Sequence, residues 1–440
     1  MSALKKWRAP LVCFVALSVS LGLLAGVGAR RARAQFGGYA VTDLGSLGGV
    51  QSRARAINNS GRVVGDSMLA GGPNSFPFAW TGGSMSNIES FTGGNSGGAK
   101  AVNEFGYAVG YAETNTGTVR PFIWSDIFGK KDLGTLGGEL AVAHDINDAV
   151  QVVGQSEIRA LVDRGFVWSP TTGMQTIPTL GGSSSTANGI NNAGQIVGGS
   201  STSNGQHHAF LLSGGVMSDL GTLGGSQSIA YEINDAGQVV GYSTTVTGPI
   251  NPPLHAFLYT VAGGMTDLGT LGGTRSIAYD INTRGDVVGA SEIAPGVERA
   301  FLYTSLSGMV DLNTMVFSSG WTFLEANGIN DKGEIVGTGI NPQGQKHAFL
   351  LTSLRDEIPG SGPPPCFSTT SPILIPAQPA IAPPLNDKSR IRRSFNQELP
   401  ALTPQPAPKS EPLRDAPDGA NRVTRNQKLL IRRDDIDGEP

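Results

Sequence analysis

The amino-acid sequence predicts an all-β protein, a seven-bladed β-propeller of four-stranded antiparallel blades closed by an N-terminal strand, and three observations lead there. One unit recurs seven times: aligned on the Asn of an Ile-Asn or Val-Asn step, Asn58, Asn103, Asn147, Asn191, Asn234, Asn282 and Asn330 follow at spacings of 45, 44, 44, 43, 48 and 48 residues. Each unit holds four short segments bounded by turn residues, the pattern of propeller blades. The two ends are complementary. Copy seven stops at His347-Ala348-Phe349-Leu350-Leu351 without a fourth segment, whereas Tyr39-Ala40-Val41-Thr42-Asp43-Leu44 is a fourth segment without a blade. Joined, they close a ring and remove the ends that an open stack must cap. An open β-solenoid is the alternative architecture.

In chain order, the amino terminus comes first, with a basic region (Lys5, Lys6, Arg8), an apolar run from Leu11 to Gly28, and Ala32-Arg33-Ala34 before Gln35. This reads as a secretory signal over residues 1–34, cleaved between Ala34 and Gln35, which sends the chain to the periplasm, cell envelope or medium of a bacterium. Arg30, Arg31 and Arg33 leave an uncleaved anchor as the other reading; cleaved, the mature chain has no membrane span. Cleavage leaves 26 Lys and Arg against 35 Asp and Glu, and the balance between Gln35 and Ser353 is 14 against 24. An acidic body repels phosphate backbones, so nucleic acid is not an expected partner. Only Cys366 survives export, so no disulfide forms within the chain and its own core must hold it, as a monomer.

The propeller is expected over residues 35–353. Its first segment carries Ala four positions before the Asn in every copy (Ala54, Ala99, Ala143, Ala187, Ala230, Ala278, Ala326), which suggests a crowded innermost strand. The Asn and a Gly three residues on then make a hairpin turn into a Val-Val-Gly strand. Copy three has Val150 at that Gly, which strains the turn by about 1 kcal/mol if positive φ is required. A third segment centred on Phe78, Phe122, Phe166, Phe210, Phe257, Phe301 or Phe349 supplies large apolar side chains for packing between blades. A Gly-rich turn leads to the fourth, Asp-Leu-Gly segment, and Leu-Gly-Gly passes to the next unit. After Ser353 the composition changes. Residues 354–440 hold 16 of the 27 prolines and 4 of the 62 glycines, and are expected to be a disordered tail.

The combination of Asp-Leu-Gly-Thr-Leu-Gly-Gly, Ala-x-x-Ile-Asn-x-x-Gly-x-Val-Val-Gly and His-Ala-Phe, the last at His208, His255 and His347, resembles the bacterial extracellular HAF-repeat proteins. The resemblance covers all seven units. It implies export and a repetitive β architecture, and no biochemical activity.

Candidate functional residues are few. The three histidines do not read as metal ligands, because the same position holds Phe76, Arg120, Arg164 and Arg299 elsewhere, and Arg cannot donate a lone pair. They are expected to be structural donors, for instance to a loop carbonyl. The Asp of Asp-Leu-Gly (Asp43, Asp132, Asp219, Asp267, Asp311) lacks the close oxygen spacing of calcium loops and is expected to bond its own turn. Two residues before the Asn, Asp145, Glu232 and Asp280 could converge at the channel and supply acid/base chemistry; the plain alternative is a solvated wall partly neutralised by Arg55 and Lys100. Loop length varies on the face opposite the hairpin turns. The stretch from Val-Val-Gly to Phe is 12 or 13 residues in six copies and 16 in copy five, whose loop Tyr242–Leu254 carries Pro249, Pro252 and Pro253. Variable loops on a regular scaffold are where specificity resides. The expected function is therefore a secreted, non-catalytic binding or scaffold module for a protein or glycan, without cofactor or metal. The alternative is a carbohydrate-active hydrolase or lyase using the three acids.

Overall fold

Among the described residues every segment of the repeat forms a strand, and the 28 strands make seven four-stranded blades. The computed structural model describes residues 38–159, 162–246 and 252–354 of the 440. The expected signal with its Ala34–Gln35 junction, Pro249, Cys366 and the Pro-rich tail lie outside the described residues. After β1 (Tyr39–Asp43), blade 1 is β2 (Gly48–Ile57), β3 (Val63–Leu69), β4 (Ser75–Thr81) and β5 (Ser84–Asn87). Blade 2 is β6 (Gly97–Val102), β7 (Ala108–Glu113), β8 (Val119–Ser125) and β9 (Gly129–Asp132), and blade 3 is β10 (Ala141–Ile146), β11 (Val152–Arg159), β12 (Val162–Ser169) and β13 (Gly173–Thr176). Blade 4 is β14 (Gly181–Ile190), β15 (Ile196–Thr202), β16 (His207–Ser213) and β17 (Val216–Asp219), and blade 5 is β18 (Ser228–Ile233), β19 (Val239–Thr244), β20 (Leu254–Thr260) and β21 (Gly264–Asp267). Blade 6 is β22 (Ser276–Ile281), β23 (Val287–Ala294), β24 (Val297–Thr304) and β25 (Gly308–Asp311). Blade 7 has β26 (Thr322–Ile329), β27 (Ile335–Ile340) and β28 (Lys346–Ser353), and its fourth strand is β1.

The closure follows the expectation. β1 runs antiparallel to β28 with Tyr39 opposite Ser353, Val41 opposite Leu351 and Asp43 opposite Phe349. The chain then crosses to blade 1, so the seam lies inside blade 7. Blades 7 and 1 meet through a parallel bridge between Gln51 and Lys346. Bridges between Val119 and Leu140, His207 and Gln227, and Leu254 and Arg275 make the same joint elsewhere in the ring. The segment that leads into blade 7 clasps the closing strand. A short 3-10 turn (Leu312–Thr314) buries Leu312, Met315 and Val316 against Tyr39 and Val41, and Met315 accepts the Tyr39 N–H at 3.1 Å.

Packing explains the repeat residues. All seven phenylalanines of the third segment and all seven alanines of the first are fully buried. Each inner strand shifts register just after its Ala, a bulge in every blade. The carbonyl beside that bulge approaches the Val-Val-Gly glycine so closely that a Cβ at Gly65 would sit 2.0 Å from Arg53 O, and one at Gly289 1.9 Å from Ile277 O. Ala, Gly and Phe are thus three sides of one contact between the first three strands, repeated around the ring. Each buried Phe contributes roughly 1.5–3 kcal/mol relative to an exposed one.

Strand direction alternates, so the ring has two faces. One, the turn face, carries the two tight turns of each blade. The other, the loop face, carries the connections from second to third strand and from one blade to the next.

Candidate functional site

The axis is where all seven blades meet, and its turn-face end is organised by the repeat Asn. Within its own turn the Asn Oδ1 accepts the N–H four residues on, as in Arg62 N to Asn58 (2.9 Å) and Gln195 N to Asn191 (3.0 Å). Its Nδ2 donates to the main-chain carbonyl of the next blade's Asn, from Asn58 to Asn103 (2.9 Å), onward through Asn147, Asn191, Asn234 and Asn282, to Asn330. Asn330 returns the bond to Asn58 O at 3.1 Å. Seven side chains therefore form a closed belt. Sequence reasoning identified these residues as turn formers and missed the belt. The signal was the occurrence of Asn in all seven copies, where a turn alone would accept Asp or Gly as well.

One residue further out, a second circle lines an axial pocket of about 190 Å³. Here the side chain accepts the main-chain N–H of the same position in the preceding blade: Glu104 from Asn59, Asp148 from Glu104, Asn192 from Asp148, Asp235 from Asn192, Asp331 from Thr283, and Asn59 from Asp331. Burial pushes the Glu104 carboxyl above its ordinary value; the bond from Asn59 opposes this, and the charges of Asp148 and Asp331 reinforce it. At Asp331 burial also pushes upward, but the bonds from Thr283 and Asn59 prevail and hold the carboxyl low.

Asp145, Glu232 and Asp280 lie at one position of the inner strand in blades 3, 5 and 6, and the charges of Asp145 and Asp280 act on Glu232. Asp145 accepts Ile146 N and, in the next blade, Ile190 N, both at 2.7 Å; Asp280 accepts Ile281 N and, in the next blade, Ile329 N, again at 2.7 Å. Glu232 accepts Ile233 N at 2.9 Å, and its Oε1 lies 2.9 Å from where a Cβ on Gly189 would stand. The channel leaves them half-buried by accessible surface, yet the surrounding blades enclose them. Enclosure raises Asp145 and Asp280 to about 6, against the pull of their amide bonds. It raises Glu232 well above the usual carboxylate range, with the charges of Asp145 and Asp280 adding to it. Arg55 pairs with Asp66 at 3.3 Å beside Arg53 at 3.1 Å. Burial pushes the Asp66 carboxyl up, but the two guanidinium groups outweigh it and the net shift is downward. Lys100 instead lies over the Tyr111 ring.

The bulged residues sit one step further toward the loop face: Arg55, Lys100, His144, Asn188, Tyr231, Tyr279 and Asn327. Asn188 and Asn327 donate to the carbonyls of Ala230 and Ala54 in the next blade. Tyr231 packs on Tyr279, ring centroids 5.8 Å apart. Burial and the charge of Lys100 drive His144 down to about 3, so its imidazole is neutral.

The three histidines of the third segment are structural donors, with a partner other than the loop carbonyl expected. His208 and His255 bond Asp219 and Asp267 of their own blades at 2.8 Å, and His347 bonds Asp43 across the seam at 3.0 Å. The same aspartates accept their turn's N–H, as in Gly221 N to Asp219 (2.8 Å), which is the expected turn bond. The Asp-Leu-Gly turn is thereby tied to the third strand. A further residue went unnoticed in the sequence, the Ser two positions after Val-Val-Gly. Ser67, Ser156, Ser200, Ser243 and Ser291 each accept the N–H of the Leu in the Leu-Gly-Gly loop. Its repetition was visible, and its partner, 20 residues away, was not.

The proposed loop in blade 5 is shorter than expected. Tyr242 lies within β19 and packs on Tyr231 (5.9 Å), and Leu254 begins β20, so the connection is Thr245 to Pro253, with Pro252 and Pro253 half-buried at its end. Among the described residues no group of three His, Cys, Asp or Glu is arranged to hold a metal ion.

In sequence, the family described as "Protein of unknown function (DUF3466)" matches residues 221–353. No curated protein matches the chain. Among solved structures, TolB from Acinetobacter baumannii aligns over 56% of this chain and 63% of its own, at 12% identity and a TM-score of 0.33. The chain thus spans less than two thirds of TolB. The gluconolactonase XC5397 from Xanthomonas campestris aligns over 72% and 90% (8% identity, TM-score 0.36), and the WD40 β-propeller domain of Doa1 over 70% and 97% (12%, 0.36). The propeller assignment rests on the strand pairing itself.

Proposed function

We propose that the protein is an exported, non-catalytic binding or scaffold module that engages an extracellular protein or glycan through its loop face. One contrast carries this reading. On the turn face the connection between first and second strands is five residues in all seven blades. On the loop face the connection between second and third strands is two residues in blade 6, four in blade 4, five in blades 1, 2 and 7, and nine in blade 5. The turns between third and fourth strands differ by a single residue, so the wide variation lies on the loop face, as in a scaffold for recognition. Export is supported by the sequence of residues 1–34. The acid/base alternative has weaker support. Asp145 and Asp280 already hold an amide N–H on each oxygen, one of them from the next blade, which is a structural use of the carboxylates.

The test grafts the Pro295-Gly296 connection of blade 6 in place of Thr245–Pro253 and compares capture of envelope proteins and glycans by the two chains. Loss of capture with an unchanged melting profile supports the loop face. Undiminished capture after this graft and equivalent shortening in blades 1, 2 and 7 overturns it.

A further inference from the structure

The turns of blade 2 bring three large apolar side chains to the surface of the turn face. Phe105, between β6 and β7, is 56% exposed, and Ile127 and Phe128, between β8 and β9, are 78% and 44% exposed. Arg62 of blade 1 fixes these two turns side by side. Its guanidinium donates to Gly106 O and to the Asp126 carboxylate, and lies over the Trp124 ring, 5.9 Å from the centroid. Phe105 and Ile127 are the chain neighbours of those two acceptors. Apolar side chains gathered in one exposed place mark an interaction surface, whereas scattered ones do not. The axial pocket beside them adds charge. Of the side chains that line it, Glu104, Asp148, Asp235 and Asp331 are carboxylates and none is a cation. A carboxylate has about four lone-pair sites, so the bonds to neighbouring N–H groups leave acceptors over. Across the whole face the turns hold seven carboxylates and three cations, and two of those cations, Arg62 and Arg284, are paired within the face to Asp126 and Asp286.

We propose that this part of the turn face docks a protein segment in which a lysine or arginine stands next to a bulky apolar residue, with the cation in the axial pocket and the apolar side chain over Phe105 and Ile127. The inference goes beyond the loop-face reading and does not depend on it. Glu104 and Phe105 are consecutive, so the wall of the pocket and the apolar patch adjoin. Neighbouring residues of a partner reach both. The charge balance selects a basic occupant: a second copy of this chain would set one acidic face against another, and a nucleic acid would bring phosphates to it. Charge alone does not hold such a partner, because attraction between exposed groups is screened beyond about 8 Å at physiological salt. The apolar patch supplies the contact that salt leaves intact. Arg62 already fixes its two turns, which lowers the cost of ordering them when the partner arrives.

A short fluorescent peptide of lysine, leucine and glycine, titrated with the full chain at about 0.15 M salt and followed by anisotropy, tests the proposal. Two control peptides replace its leucines by serine or its lysines by glutamate. The expected result is saturable binding of the lysine–leucine peptide, weakened about tenfold or more in each control, which is about 1.4 kcal/mol. Two double variants separate the parts of the surface. Phe105→Ser with Ile127→Ser removes exposed side chains only, and Glu104→Gln with Asp148→Asn removes charge while keeping an oxygen for the Asn59 and Glu104 N–H groups. Each is expected to keep the parent melting profile and to weaken binding several-fold, whereas the blade 5 loop graft leaves it unchanged. Absence of saturable binding, equal binding of either control peptide, or undiminished affinity in either double variant overturns the site.

Discussion

Two registers on the inner strand, two residues apart, behave in opposite ways. At one, all seven blades carry Asn; at the other they carry Ala56, Ala101, Asp145, Gly189, Glu232, Asp280 and Gly328. The difference lies in how many bonds each position must make. The Asn satisfies its own turn through Oδ1 and the next blade through Nδ2, and a primary amide of that length does both where a carboxylate, hydroxyl or methyl does not. Because the belt closes from Asn330 to Asn58, no copy is an end copy and none is released from the requirement. The other register has only a space requirement near the axis. Where Asp occupies it, the following blade has Gly: Asp145 precedes Gly189 and reaches Ile190 N, and Asp280 precedes Gly328 and reaches Ile329 N. Identity between copies marks a closed network, and variation marks a place where neighbours need only fit.

The largest expected effect breaks the first register. Asn191→Ala leaves the Asn234 carbonyl and the Gln195 N–H without their partners at a buried position, and is expected to cost about 1–3 kcal/mol in denaturant unfolding. Asn191→Asp keeps the acceptor and loses the donor, so it should fall between Ala and the parent. A cost for Asn191→Ala within about 0.5 kcal/mol, the range of an ordinary surface change, would reduce the belt to an accident of turn geometry.

A smaller effect, of opposite sign, sharpens the second register. Glu232 has a folded-state pKa above the ordinary 4.5, so between those two values the folded chain binds more protons than the unfolded one. Stability then falls as pH rises through that window, and the deficit is complete above the folded pKa. Asp145 and Asp280 act in the same direction between 3.8 and about 6. Glu232→Gln cannot ionise. It is expected to match the parent near pH 4, to be the more stable at pH 8, and to flatten the pH profile of the melting temperature. A variant that is less stable at pH 8 would mean that the ionised carboxylate holds the ring together.

These two registers also show how far sequence alone reached. The ring, its seven units and the strand that completes blade 7 were legible because periodicity and the unmatched ends are properties of the chain itself. That Asp145, Glu232 and Asp280 share one position of the inner strand was legible once that strand was identified. The belt was not, since an Asn in a turn looks the same whether its amide faces water or the next blade. The pairing of Arg55 was hidden for a similar reason. Asp66 lies on the neighbouring strand, 11 residues on, and accepts from the Arg55 Nε at 3.3 Å. Tyr242 was placed in a loop because the Pro-rich stretch after it hid the end of β19.

The smallest effect tests whether copies at a constrained register are interchangeable. Six blades place Gly at the third residue after the belt Asn, with φ between 75 and 82°. Blade 3 holds Val150 in the same conformation, at φ 59°, and its N–H still donates to Asn147 O at 3.1 Å. A β-branched residue there is strained, because its Cβ crowds the backbone. Val150→Gly is expected to stabilise the chain by less than about 1 kcal/mol, the gain from removing strain alone, since Gly also gives the unfolded chain more freedom. Gly194→Val in blade 4 should impose the converse penalty. A Val150→Gly chain no more stable than the parent, together with a costly Gly194→Val, would show that blade 3 has adapted to its valine, and that the seven turns share a shape without sharing an energy.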